Sequence, residues 1–544
     1  MRLCRGRGVE SRGPLRPRCP QSGASRPQDI LTHAVSTPHH LSTDAAKRVL
    51  IAGGNAVDAA IAATATQGVV APETCGVGGD LFALIHRPGW DEPRALNASG
   101  RAGSNANPSA VRDLQVIRRD HPFSVTVPGC VDGWSVLSSE LGRLSLSECI
   151  APAIGHASEG FEVSTEQAGA FLDQASFYAG QQAVHEFYPG EAPVVRGDVV
   201  KRPALAATLH AVGEIGREAF YLGDPAQDIV EELGGLITYG DLARSHADWV
   251  SPISCAVGDM FAWTIPPNSQ GYLGPATLAV FETLGPPSDP ADPDWWHLLI
   301  EAYRSMAWER DDLVADPDHA PLPAHLLLDP ARLGRAADTV DRAATGVWPR
   351  RMGSESSTAY MCVVDEEGLA VSIIQSNFEG TGSAFGAGTS GFLLHNRGSG
   401  FSLTPGHPNE LQPGKRPLHT LSPTLWTRDR EPKWVIGTRG GSVQPQLVAQ
   451  VAARAILAGK TIEEAQTAPR WVVREFGPFS EARLLVEPGI AGATLADLRS
   501  RGHLIEEVPD RQPGWGPVSM IKIDDEDRTT YPDPRVDTTS AIVF

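Results

Sequence analysis

The chain has 544 residues, with 46 Lys and Arg against 65 Asp and Glu, a formal charge of −19. Its apolar share is that of a globular protein, and no apolar run reaches the roughly 18 residues needed to cross a bilayer, which excludes a largely disordered chain and a helical membrane spanner. The acidic balance also argues against a nucleic-acid binder, which needs a basic face to neutralise phosphates.

By length alone about three or four domains are expected. The first 27 residues carry seven Arg and one acid, Glu10, among several Pro and Gly. They hold no apolar stretch of signal-peptide length, so residues 1–33 read as a disordered basic tail and a cytoplasmic location is expected. Globular texture begins at Ala34. Ser42-Thr43-Asp44 predicts a helix start ahead of Ala45–Leu50, and Gly53-Gly54-Asn55 opens an alanine-rich helix from Ala56 to about Ala65. Pro72 closes that unit before Gly76-Val77-Gly78-Gly79, a loop whose glycines let backbone approach backbone. No phosphate-cradling lysine accompanies it and no G-x-G-x-x-G follows a strand, so nucleotide binding is unsupported. Stretches rich in Pro and Asp around 286–294 and 316–330 read as surface loops. The cysteines (Cys4, Cys19, Cys75, Cys130, Cys149, Cys255 and Cys362) are scattered, odd in number and form no C-x-x-C pair. Neither a disulfide framework nor a zinc site is predicted, and a reducing compartment fits.

The most informative local pattern lies at 358–377. A β-prone run, Thr358 to Val364, is followed by Asp365-Glu366-Glu367-Gly368 and a second run from Leu369 to Ile374, which predicts a hairpin. With a tight four-residue turn, 364 meets 369 and 358 meets 375, so Thr358 lies about one diagonal step from Ser376. Two hydroxyls are thereby brought together, although threonine and serine in strands are usually no more than β-formers. Further on, the apolar run Trp434-Val435-Ile436 leads into Gly437-Thr438-Arg439-Gly440-Gly441-Ser442 and a helix-like stretch, Val443–Ala458, ended by Gly459. Strand, glycine pair and helix form a geometry in which backbone N–H groups converge, as in anion nests and oxyanion holes, or a simple strand-to-helix turn.

Taken together, these segments resemble the γ-glutamyltranspeptidase (glutathione hydrolase) family of self-cleaving N-terminal-nucleophile enzymes. The resemblance runs from about Ala34 to the C-terminus. It rests on Gly53-Gly54-Asn55-Ala56-Val57-Asp58-Ala59-Ala60, Gly76-Val77-Gly78-Gly79, Val127-Pro128-Gly129, Pro152-Ala153-Ile154, Pro266-Pro267-Asn268-Ser269-Gln270-Gly271, Lys415-Arg416-Pro417-Leu418, Ser422-Pro423-Thr424 and Asp533-Pro534-Arg535. It implies an α+β fold, the αββα four-layer sandwich, built as one core from two pieces of a zymogen. Cleavage between Ser357 and Thr358 would leave a large subunit, 34–357 with its tail, and a small subunit, 358–544, joined as a heterodimer. In that family the new N-terminal threonine, here Thr358, is the nucleophile. Gly440 and Gly441 match a glycine pair that holds the oxyanion, and Ser376 stands where a threonine hydrogen-bonds the nucleophile. No metal or organic cofactor is expected, and the partners are a small acyl-amide substrate and the fragments themselves, with no nucleic acid and no membrane span.

The substrate half departs from the pattern. The family grips the glutamyl α-carboxylate with an arginine in a D-x-R-E-x-A-P-like segment and a Ser-Ser pair. Here Asn97-Ala98-Ser99-Gly100-Arg101-Ala102 displaces the arginine by two positions, and His419-Thr420 replaces the serines. The N-N-Q-M-D-D-F-S block, whose acid pairs with the glutamyl ammonium, reads His395-Asn396-Arg397-Gly398-Ser399-Gly400-Phe401-Ser402, without a carboxylate. Tyr360 also stands where the family often has His. Arg101, Thr420, His419 and Arg397 are therefore the expected substrate contacts, suited to an anionic acyl group lacking an amine. The resemblance implies a γ-glutamyltransferase or glutathione hydrolase-like enzyme that passes an acyl group to water or an amine. Two alternatives stand beside it: an acylase on a non-glutamyl dicarboxylic or β-lactam-type acyl amide, and an unprocessed, non-catalytic binding protein.

Overall fold

Period-2 alternation in the strands sorts their side chains between two sheets and two helical layers. The computed structural model describes residues 33–347, 351–352, 357–473, 475–476, 483–525 and 527–544. One antiparallel sheet runs in the order Ser540–Val543, Ala34–Thr37, Ser357–Val364, Ala370–Phe378, Asp80–His86, Arg94–Ala98 and Asp248–Val250. A second, also antiparallel, runs Asp527–Thr530, Val518–Asp524, Glu431–Thr438, Thr424–Arg428, Met260–Thr264 and Ile253–Val257.

Along Ser357–Val364, Ala359, Met361 and Val363 join a core shared with the helices His40–Ile51, Ala56–Val70, Cys130–Leu141 and Leu146–Glu159. Tyr360, Cys362 and Val364 point the other way, into a core with Leu425, Val435 and Ile521 of the second sheet. That sheet's opposite face, with Trp426, Ile436 and Met520, packs on the helices Leu273–Thr283, Pro293–Ala307 and Gln444–Ala452. A strand buried on both faces needs apolar residues at odd and even positions alike, which accounts for the unbroken apolar runs. Helix, sheet, sheet and helix form the expected αββα sandwich, so the three or four domains suggested by length are replaced by one core.

Boundaries differ from the sequence reading where side chains reach across the fold. The first helix begins at His40, not after Asp44, because His39 caps it through its ring. Ser42 and Thr43 are buried inside it, bonded to Gln67 and Thr37. The alanine-rich helix continues to Val70, its start held by a reciprocal cap between Asn55 and Asp58. The expected loop at 316–330 contains a 3₁₀ turn, Ala324–Leu328. His33 belongs to the fold, exchanging two backbone hydrogen bonds with Phe544; the remainder of the expected tail, with Cys4 and Cys19, lies outside the described residues.

Tyr360 fixes the distance between the sheets near the glycine pair. Its hydroxyl lies 2.9 Å from Ser372 Oγ, and its ring lies against Gly437, where a Cβ would approach it to 2.2 Å. Gly437 sits on the strand that leads to Gly440 and Gly441. Gly437→Ala is expected to force these sheets apart and to destabilise the protein by about 1–3 kcal/mol, read as a lower urea midpoint; an unchanged midpoint would show that the ring moves freely.

Candidate active site

The hairpin joins Ser357–Val364 to Ala370–Phe378, but its register differs from the one expected. Val364 faces Ala370, not Leu369, because the connection takes five residues. The Asp365 carboxylate sets that length by accepting from the N–H groups of Glu367 and Leu369, both at 3.0 Å, and from Ala56 N–H at the start of the alanine-rich helix. At the far end Ala359 faces Gln375 and Ser357 faces Phe378, so Thr358 is opposed by two residues, Ser376 and Asn377. This β-bulge re-aims the strand end. It places Thr358 Oγ1 3.0 Å from Ser376 Oγ, both residues buried. Ser376 Oγ also accepts from the Phe378 N–H at 2.8 Å, and Phe378 has φ 76°, a region that bulky residues seldom occupy. The side chain of Ser357 lies outside the described residues.

Glycines pack the neighbouring loop onto this strand end. A Cβ on Gly79 would lie 2.4 Å from the Ser376 carbonyl oxygen, so only glycine permits that approach. Asp80 follows, paired across the sheet with Ser376. Its Oδ1 accepts from the N–H groups of Gly100 and Gly129, and its Oδ2 from His419 Nε2 at 3.0 Å, with His395 Nδ1 at 3.4 Å. Burial alone would raise this carboxyl, but His395 and His419 beside it hold it well below the usual carboxylate range. Burial pushes the His419 imidazole down to about 4, against the pull of Asp80.

Gly440 and Gly441 both have positive φ, 122° and 58°, and lead through a 3₁₀ turn into the helix Gln444–Ala452, which passes into a π turn over Ala453–Leu457. Gln270 ties this loop to the rest of the site. Its Nε2 donates to the carbonyls of Gly441 (2.9 Å) and Thr420 (3.2 Å), while its Oε1 accepts from Arg310 Nη1 at 3.0 Å. Arg439, just ahead of the pair, donates to the carbonyls of Gly516 and Pro513 and forms an ion pair with Glu166 at 2.6 Å. A span that the cleavage scheme assigns to the large subunit thus steadies a loop of the small one.

Beside the hairpin end lies a cavity of about 470 Å³, lined in part by Phe378, Glu379, Arg397, Thr420, Arg310 and Asp311. Of the expected substrate contacts, Arg397 and Thr420 line it, joined by a 3.2 Å hydrogen bond from Arg397 Nη1 to Thr420 Oγ1. Arg101 and His419 do not. Arg101 is held by Asp316 at 3.1 Å and donates to the Gly414 carbonyl, and His419 is turned toward Asp80. The segment 395–402 supplies no carboxylate, yet Glu379, Asp311 and Asp312 reach the same cavity from other elements. Gln270, Asp80 and Glu379 were not singled out by sequence reasoning. The Pro-Pro-Asn-Ser-Gln-Gly run and the acid directly after Gly78-Gly79 were the available signals for the first two.

An αββα sandwich with a hydroxyl pair at the end of an internal hairpin is the architecture of an N-terminal-nucleophile hydrolase. The γ-glutamyltranspeptidase family model matches residues 42–543, and the chain belongs to that family. The glutathione hydrolase-like YwrD proenzyme of Bacillus subtilis (strain 168) is 37% identical over 500 residues, covering 90% of this chain and 94% of the relative. The oxamate amidohydrolase proenzyme of Klebsiella pneumoniae subsp. pneumoniae is 35% identical over 506 residues, covering 91% and 95%. Among solved structures, a cephalosporin acylase from Bacillus halodurans superposes with a TM-score of 0.86 at 30% identity, over 96% of this chain and 98% of that one. Among the described residues no helix is long and apolar enough to cross a membrane.

The buried imidazoles make a pH prediction. Burial holds His419 and His503 down to about 4, and His39 to about 3. Below about pH 6.5 the unfolded chain takes up protons at these rings while the folded chain does not. Stability therefore rises with pH through this window and is lost as the pH falls from 6.5 toward 4. The urea midpoint is expected to drop between pH 7 and 4.5, and His419→Gln should flatten that drop by on the order of 2 kcal/mol. An equally steep profile in the variant would contradict the assignment.

Proposed function

We propose that the chain is made as a precursor whose Thr358 hydroxyl attacks the carbonyl carbon of Ser357. The C–N bond breaks, an ester forms on Thr358 Oγ1, and water opens it. The products are pieces of 357 and 187 residues, the smaller beginning with Thr358. A hydroxyl is a weak nucleophile until a nearby base takes its proton. The freed α-amine of Thr358, with a reference pKa of about 7.7–8.0, is such a base on the same residue. In turnover Thr358 Oγ1 attacks the substrate amide carbonyl and passes its proton to that amine, which returns it to the departing nitrogen. Water or an acceptor amine then attacks the acyl ester and releases the acyl group as acid or as a new amide.

Gly440 and Gly441 are assigned the oxyanion, a contribution of roughly 3–4 kcal/mol per donor in comparable sites. Ser376 holds the nucleophile's rotamer. The 3.0 Å contact between the two hydroxyls carries this reading, supported by the likeness to two proenzymes, one an amidohydrolase, and to an acylase. The reaction class is cleavage of γ-glutamyl or related acyl amides.

Denaturing gels of the purified protein should show two fragments, and Thr358→Ala a single chain without amidase activity. Ser376→Ala should still be cut, more slowly, and lose about 10–100-fold in kcat. A Thr358→Ala protein that retains wild-type activity would end this reading.

A further inference from the structure

Arg397 is 1% exposed, yet it lines the cavity beside the hairpin end. Burial pushes its guanidinium down to about 9, with the Glu379 and Asp80 charges pulling it back up. Its Nη1 donates to a neutral hydroxyl, Thr420 Oγ1, and its Nε has no hydrogen-bond partner among the described residues. A buried cation bonded so sparingly is costly unless an anion joins it.

Two neighbours are shaped to hold it there. The Phe378 ring lies beneath the guanidinium, whose central carbon is 3.3 Å from the ring centroid. That ring is brought under it by the positive φ of Phe378, whose N–H bonds Ser376 Oγ, one contact from Thr358. Gly400 leaves the necessary space: a Cβ there would lie 2.5 Å from Arg397 Nη2 and 3.0 Å from the Leu418 carbonyl oxygen. Gly400 belongs to the block in which the resembling family carries its ammonium-binding acid. Here the acid is gone, and a guanidinium occupies the space left beside a residue without a side chain.

Resting on Thr358 as the nucleophile, we propose that Arg397 is the acyl-carboxylate receptor of this enzyme, with Thr420 beside it. The acyl donor is then an amide of a short dicarboxylic acid: one end is the scissile carbonyl, the other a free carboxylate, and no ammonium lies between. Arg397 contributes both oxygen-facing N–H groups and the charge. Glu379, Asp311 and Asp312 also line the cavity, and binding of an ammonium there is the opposing case.

The test uses the processed wild-type protein and 4-nitroanilides of oxalic, malonic, succinic and glutaric acids, compared with γ-L-glutamyl-4-nitroanilide and with the methyl ester of the best diacid substrate. The best diacid anilide is expected to exceed the glutamyl one at least tenfold in kcat/KM, and its neutral ester at least a hundredfold. Arg397→Gln should erase the advantage over the ester, mainly through KM, while fragment formation stays normal. Gly400→Ala, which crowds the guanidinium, should follow the same pattern, and Arg397→Lys should recover part of it. A preference for the glutamyl anilide, or an equal loss on diacid and ester in both variants, would overturn the proposal. Absence of fragments in the wild-type protein would instead count against the Thr358 reading beneath it.

Discussion

The meeting of two hydroxyls at the end of one buried hairpin is the contact on which the candidate site depends. Ser357–Val364 lies inside a sheet covered on both faces, where a regular ladder would place Thr358 opposite a single partner. The bulge makes two residues, Ser376 and Asn377, face it, and the hydroxyls meet at 3.0 Å. A bulge in a buried strand survives only if its surroundings hold it. Here Gly79 packs on the Ser376 carbonyl, Asp80 pairs beside it, and Phe378 N–H ties back to Ser376 Oγ. Asp365 anchors the other end of the hairpin to a helix start, and Tyr360 keys it against the second sheet at Gly437.

Around that point the fold separates two tasks. Residues assigned to bond making follow the family pattern, the hydroxyl pair and the glycine pair, and Gln270 links the latter to Thr420. Residues that would sort acyl groups follow a different charge plan, with Arg397 and Arg310 in the cavity and Arg101 drawn away by Asp316. A buried guanidinium on an aromatic face is hydrated less tightly than an ammonium and suits carboxylates.

Much of this was readable in the residues. The β-prone runs at 358–364 and 369–374 announced the hairpin, and counting along it brought Thr358 to Ser376. The count was one residue short at the turn, since Asp365 draws Leu369 into the connection; that shift carries Thr358 from Gln375 to Ser376, and the bulge adds Asn377 beside it. No local pattern announces a bulge, because it depends on Gly79 and Asp80 nearly 300 positions away. Partners were harder still. His419 and Arg101 carry groups able to bind substrate, but Asp80 and Asp316, buried acids distant in sequence, hold both away from the cavity. Glu379 was overlooked for the converse reason, as an ordinary acid after a strand whose turn directs it into the cavity.

The central claim is that residue 358 is both chain terminus and acyl carrier. Acid-quenching the enzyme during turnover of its best anilide, then digesting it for mass spectrometry, tests both parts at once. The account predicts a peptide that begins at Thr358 and carries the acyl group as an ester on that residue. An active enzyme whose acyl group sits elsewhere, or in which residues 357 and 358 remain joined, would contradict it.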